Sequence, residues 1–79
     1  MKGQRVPWPE GLFKPGEYAQ HADGFWYGET PNGHSCNLRG HTVVEHEDGT
    51  ITVSPSILVY QGKKELWHGF LERGVWREC

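Results

Sequence analysis

No stretch of this chain holds the roughly 18 consecutive apolar residues of a membrane-spanning helix. The segment Met1-Lys2-Gly3-Gln4-Arg5-Val6-Pro7 also lacks the apolar centre of a signal peptide. The expected compartment is therefore the cytosol. Cysteines are few: Cys36 and Cys79 are the only two. A reducing compartment keeps both as thiols and disfavours a bridge between them. Excess charge of one sign is missing too, since eight Lys and Arg stand against ten Asp and Glu for a net charge of −2. That balance supplies no basic track for a phosphate backbone, which disfavours nucleic acid as a partner, and it is too small for a strongly acidic nucleic-acid mimic. Lys63 and Lys64, the one adjacent cationic pair, read as a solvated turn beside Gly62. No segment keeps a 3.6-residue apolar period over ten residues, so long amphipathic helices are excluded. The chain holds neither an internal repeat nor a low-complexity tract.

Glycine and aromatic residues are plentiful. Eleven glycines among 79 residues favour tight turns over helices. Four Trp, three Tyr and three Phe give a small core large apolar area per residue. The length allows one small domain. Residues 1–16, with Pro7, Pro9 and Pro15, read as an extended arm over that domain, anchored by Trp8 and Phe13. Residues 17–79 form the single β domain.

Turn chemistry and β-branched runs set out the strands. Glu17–Gln20 and Phe25–Tyr27 come first, followed by a tight turn at Thr30-Pro31-Asn32-Gly33. His41–Glu47 and Thr50–Ser54 flank Asp48-Gly49, a hairpin signal. Two registers are open there. A two-residue loop pairs Val44 with Val53. A three-residue loop with a bulge slips the pairing by one and brings Val43 and Glu45 onto the Ile51/Val53 face. Pro55-Ser56 is expected to break the run before Ile57–Tyr60 resumes it. Leu66–Leu71 and Val75–Glu78 close a last hairpin, and an Arg73-Gly74 loop places Trp67, Leu71 and Trp76 on one face. The expected fold is all-β, with five to seven short strands in a small antiparallel sheet or curled barrel.

The run from His41 through Asp48-Gly49 to Val59, the closing Trp67-His68-Gly69-Phe70-Leu71-Glu72-Arg73-Gly74-Val75-Trp76, and Thr30-Pro31-Asn32-Gly33 resemble a family of small proteins of phages, prophages and bacteria. The resemblance covers most of the chain from about Glu10 onward. That family often carries the label "ammonia monooxygenase", a multi-subunit membrane metalloenzyme. The label does not suit a chain with no apolar span and no copper-site signature. Longer cellular relatives are zinc-ribbon-like, with a Cys-x-Cys-Gly cluster before the central hairpin. Here Pro31-Asn32-Gly33-His34-Ser35-Cys36 replaces that cluster, and His68 stands where a later histidine would. At least two cysteines of the pattern are missing. The resemblance implies an accessory protein acting on a host protein, including interference with host defence.

The chemistry-bearing residues are sparse. His34, Cys36 and His41 lie within eight residues, and His68 or Cys79 could complete a tetrahedral zinc set, although His-x-Cys is not a usual knuckle spacing. A Cys36 nucleophile would need a base within about 3 Å and a group to orient that base. Glu45 and Glu47 project to one strand face and His46 to the other, which separates the acids from the base. No catalytic motif is complete, and neither a cofactor nor an enzymatic activity is expected. The aromatics exceed what so small a core needs. Alternation sets Trp26 against Phe25 and Tyr27, and Trp67 against Phe70. Outward aromatics serve protein interfaces, so Trp26, Trp67, Phe70 and Trp76 are the interface candidates. The function expected is a non-enzymatic protein-binding module whose partner is another protein or a second copy of itself. The alternatives are a degenerate zinc-ribbon-like structural module and a single-stranded nucleic-acid binder.

Overall fold

Eight strands and no helix make up the computed structural model, which describes residues 1–79. In chain order they are β1 (Gln4–Arg5), β2 (Glu17–Gln20), β3 (Trp26–Glu29), β4 (Ser35–Asn37), β5 (Thr42–Glu45), β6 (Ile51–Gln61), β7 (Lys64–Glu72) and β8 (Val75–Glu78). They form two four-stranded sheets, ordered β1-β2-β3-β4 and β5-β6-β7-β8. The fold is all-β as expected. The sheets do not close into a barrel, and eight strands replace the five to seven expected. All neighbours are antiparallel except β1 and β2, which run parallel.

The central hairpin takes the three-residue loop. Val43 pairs with Val53 and Glu45 with Ile51, and the His46 N–H donates to Thr50 O at 2.8 Å across Glu47-Asp48-Gly49. Gly49 sits at φ +88°, the left-handed position that such a loop reserves for glycine. The Asp48 carboxylate accepts from the Thr50 N–H at 3.0 Å and from its hydroxyl at 2.6 Å. The last hairpin has its Arg73-Gly74 loop, with φ of 46° and 76°. Positive φ at both positions matches the right-handed twist of the flanking strands.

Pro55 does not end its strand. Between the Val53–Leu71 and Ile57–Gly69 pairs, β6 advances four residues while β7 advances two. Ser54 and Pro55 are exposed in that bulge. A residue with no N–H cannot join a ladder but is tolerated where the ladder is interrupted.

The core lies between the sheets. Tyr18, Trp26 and Leu38 come from the first half of the chain, and Ile51, Val53, Ile57, Trp67, Leu71 and Trp76 from the second. Trp67, Leu71 and Trp76 share one face as expected, and the two indoles meet edge to face with centroids 5.6 Å apart. Gly69 leaves room for them, because a Cβ there would come within 2.5 Å of the Trp67 ring and 2.3 Å of Arg77 O. Three interface candidates are thereby corrected: Trp26, Trp67 and Trp76 are 7%, 2% and 2% exposed. Alternation does oppose them to Phe25, Tyr27 and Phe70, but the tryptophans take the inner side, where their larger area is removed from water. The Trp76 indole N–H also finds a buried acceptor, Gly16 O, at 2.9 Å. Phe70 stays half-buried on the outer face beneath the Arg77 guanidinium, 5.0 Å from its ring centre.

The arm joins the two sheets. The Gly3 N–H donates to Gly74 O and the Trp76 N–H to Met1 O, at 2.7 and 2.8 Å, while the Val6 N–H reaches Tyr18 O at 2.9 Å. Arg5 extends the link to Glu45 at 2.5 Å. Beyond β1 the chain crosses the outer face of the first sheet. There Trp8 contacts Phe13, His21 and Tyr27, with ring centres 5.6, 4.4 and 5.3 Å away.

Candidate functional site

The four weak metal candidates fall into separate roles. Cys36 faces inward from β4 and packs against the core. Burial pushes its thiol up to about 12, only partly opposed by a hydrogen bond with the Gly28 backbone. The His41 Nε2 lies 3.1 Å from Ser56 O, and the His68 Nε2 lies 3.1 Å from the Ser56 hydroxyl oxygen. His34 follows the β3–β4 turn, where its backbone N–H donates to the Thr30 hydroxyl at 3.0 Å. His41 and His68 thus approach the Ser56 bulge, but no three His, Cys, Asp or Glu side chains gather in an arrangement that could hold a metal ion. Cys79 is exposed, and both cysteines are free thiols.

Acid–base and nucleophilic chemistry find little support in the geometry. Ser56 and His68 form a hydroxyl–imidazole pair, but no carboxylate is bonded to His68 to orient it. Such an orienting group is what turns a pair of this kind into a nucleophile and its base. The carboxylates hold local structure instead. Asp23 accepts from the Phe25 N–H at 2.8 Å and Asp48 from Thr50, and these bonds hold both carboxyls below the usual range. Glu45 pairs with Arg5, and Glu72 with Arg77. With the three-residue loop, Glu45 lies on the inner-face side but at its exposed rim, and His46 turns out to Thr52 Oγ1 at 2.7 Å.

What the fold leaves unfinished is backbone. The Thr30 N–H donates to His34 O at 2.8 Å and the Leu38 N–H to Trp26 O at 2.9 Å. Bonded and non-bonded pairs alternate along an antiparallel ladder. Cys36, opposite Gly28, is therefore the bonded residue of β4, while Ser35 and Asn37 point their N–H and C=O away from β3. The same reasoning applies to the distal half of β6. The Cys79 N–H donates to His68 O at 2.9 Å, which turns the His68 backbone toward β8. Its partner Leu58 therefore presents its N–H and C=O to the open side. The pairing of β5 with β6 covers only Thr42–Glu45 against Ile51–Ser54 and does not extend that far. The two open edges face each other across a groove of about 260 Å³, lined by Ser35, Cys36 and Asn37 on one wall and by Ile57 to Tyr60 on the other, with His41 between.

Sequence reasoning did not find these edges. Ser35-Cys36-Asn37 is too short and too polar to register as a strand, and the free side of β6 follows from where β5 ends. In comparisons with family models, curated proteins and solved structures, nothing matches this chain.

Proposed function

We propose that this chain is a non-enzymatic protein-binding module that captures its partner by strand addition. The observation that carries this reading is the pair of open sheet edges, at Ser35–Asn37 and at Leu58, flanking one groove. Unpaired backbone donors and acceptors on an edge strand form a template for another extended chain. Strand addition recruits proteins through main-chain hydrogen bonds, with pockets for alternate side chains supplying selectivity. Half-buried apolar side chains near the edge, such as Val59, lower the cost of drying it. The likeness to small phage proteins favours a host protein as the partner.

The test is selection of unstructured peptides from a display library on the folded chain, followed by proline scanning of the edges. Proline at Asn37 or at Leu58 removes an outward N–H without touching the ladder bonds of β3 or β7. Peptides bound by strand addition lose about tenfold or more in affinity with at least one of these variants. Selected peptides that bind both proline variants as well as the parent chain would contradict the reading.

A further inference from the structure

The geometry points to β4 as the docking strand, and to a ligand that is an extended peptide with two aromatic or long aliphatic residues separated by one β-branched residue. This inference rests on the strand-addition reading and names the edge and the ligand class.

Two clefts meet at the same three residues. On the outer face of the first sheet an open cleft of about 320 Å³ is walled by Trp8, Phe13 and Tyr27 and bordered by Ser35 and Asn37. On the other side of β4 lies the groove whose far wall is Ile57, Val59 and Tyr60. Side chains alternate across a strand, and directly opposed residues share a face. Tyr27 opposes Asn37 on the outer face, whereas Cys36 turns inward to the core. A strand added antiparallel to β4 forms its bonded pairs with Ser35 and Asn37. Its residues at those two levels direct their side chains to the Trp8–Phe13–Tyr27 cleft, and the residue between them points to the Ile57–Val59 groove.

The chemistry of each cleft selects its occupant. Trp8 stands nearly perpendicular to Phe13 and to Tyr27, at 86° and 79°, and is 45% exposed. Rings so arranged offer both faces and edges to a further aromatic side chain. The volume lies at the small end of ligand sites, which run from about 300 Å³, and suits side chains rather than a folded domain. Proline is excluded at the two outer positions because their N–H groups must bond to β4. The groove is smaller, about 260 Å³, and its Ile57 and Val59 side chains on the inner face suit valine or isoleucine at the middle position.

The test uses a short capped peptide containing Phe-Val-Phe between threonines and a lysine. Its controls are a peptide of the same composition with the two phenylalanines adjacent, and the parent peptide N-methylated at both phenylalanines. Binding is read by tryptophan fluorescence and by amide shifts of the full chain. The alternating peptide binds about tenfold or more tightly than either control. Asn37→Pro and Trp8→Ala each weaken it about tenfold. The N-methylated control keeps the test decisive if Asn37→Pro fails to fold. Equal affinity for the reordered or N-methylated peptide would overturn the inference. Peptides lost on Leu58→Pro but kept on Asn37→Pro would overturn it too while leaving strand addition standing. So would self-association abolished by Asn37→Pro, which would seat a second copy of the chain on this edge.

Discussion

The thiol of Cys36 is removed from water between β4 and the core, and desolvation raises it from an ordinary 9.0 to about 12. The sign of the resulting pH dependence follows directly. Between those two values the folded chain holds a proton that the unfolded chain has released, so this group's stabilisation is complete below about pH 9 and is lost as pH rises toward 12. The expected slope is about 1.4 kcal/mol per pH unit within that window. Denaturant unfolding of the parent chain and of Cys36→Ala between pH 8.5 and 11 checks it, because subtracting the variant removes the tyrosine and lysine contributions. Parallel curves would show that the thiol is hydrated. The same burial argues against Cys36 as a nucleophile, since a thiol held protonated at neutral pH is not the reactive form. The His41 and His68 rings likewise have backbone or hydroxyl partners at Ser56, and His34 is held at its turn through its main chain. For these residues, position along the chain was a poor guide to role. The spacing His34-x-Cys36 followed by His41 suggests a ligand set, but the β3–β4 hairpin sends Cys36 inward while His34 stays at the turn and His41 bonds to Ser56.

At the scale of single elements, turns were the most legible feature. Asp48-Gly49, Arg73-Gly74 and Pro31-Asn32-Gly33 each mark the loop where the structure has one, because positive φ is so costly for most residues that glycine reports it directly. β2 and β8 have the expected bounds. The hairpin register could not be read from the sequence, since both loop lengths satisfy Asp48-Gly49 and differ only in what packs behind Val43. Nor did the sequence reveal which side of an alternating strand faces in. That choice depends on the opposite sheet, and it placed Trp26, Trp67 and Trp76 inside. β1 and β4 were missed because strands of two and three residues carry no pattern to detect. Arg73 offers a direct check on the turn argument. It is the one non-glycine residue with positive φ, at 46°, in a loop that prefers Asn-Gly. Arg73→Asn is expected to stabilise the chain by about 0.5–1 kcal/mol, a fraction of the left-handed penalty. A raised denaturation midpoint at unchanged m-value would bear this out, and a lowered one would mean that the arginine makes a contact outweighing its strain.

For the whole molecule, the arm turns two small sheets into one unit. Residues 1–16 read as a covering segment in the sequence, yet their backbone bonds reach Tyr18 in one sheet and Gly74 and Trp76 in the other. On the opposite side, between β4 and the distal half of β6, no strand spans the gap, and two edges remain with free backbone groups beside the groove. Strand addition requires those edges to be open in solution, which amide hydrogen exchange of the free chain measures most directly. It predicts that the Ser35, Asn37 and Leu58 amides exchange near the rate of an unstructured peptide, while Cys36, Ile57 and Val59, bonded to β3 and β7, are slowed by about a hundredfold or more. Protection of Ser35, Asn37 and Leu58 equal to that of their neighbours would mean that the edges are already paired, and would contradict strand addition as the way this protein binds.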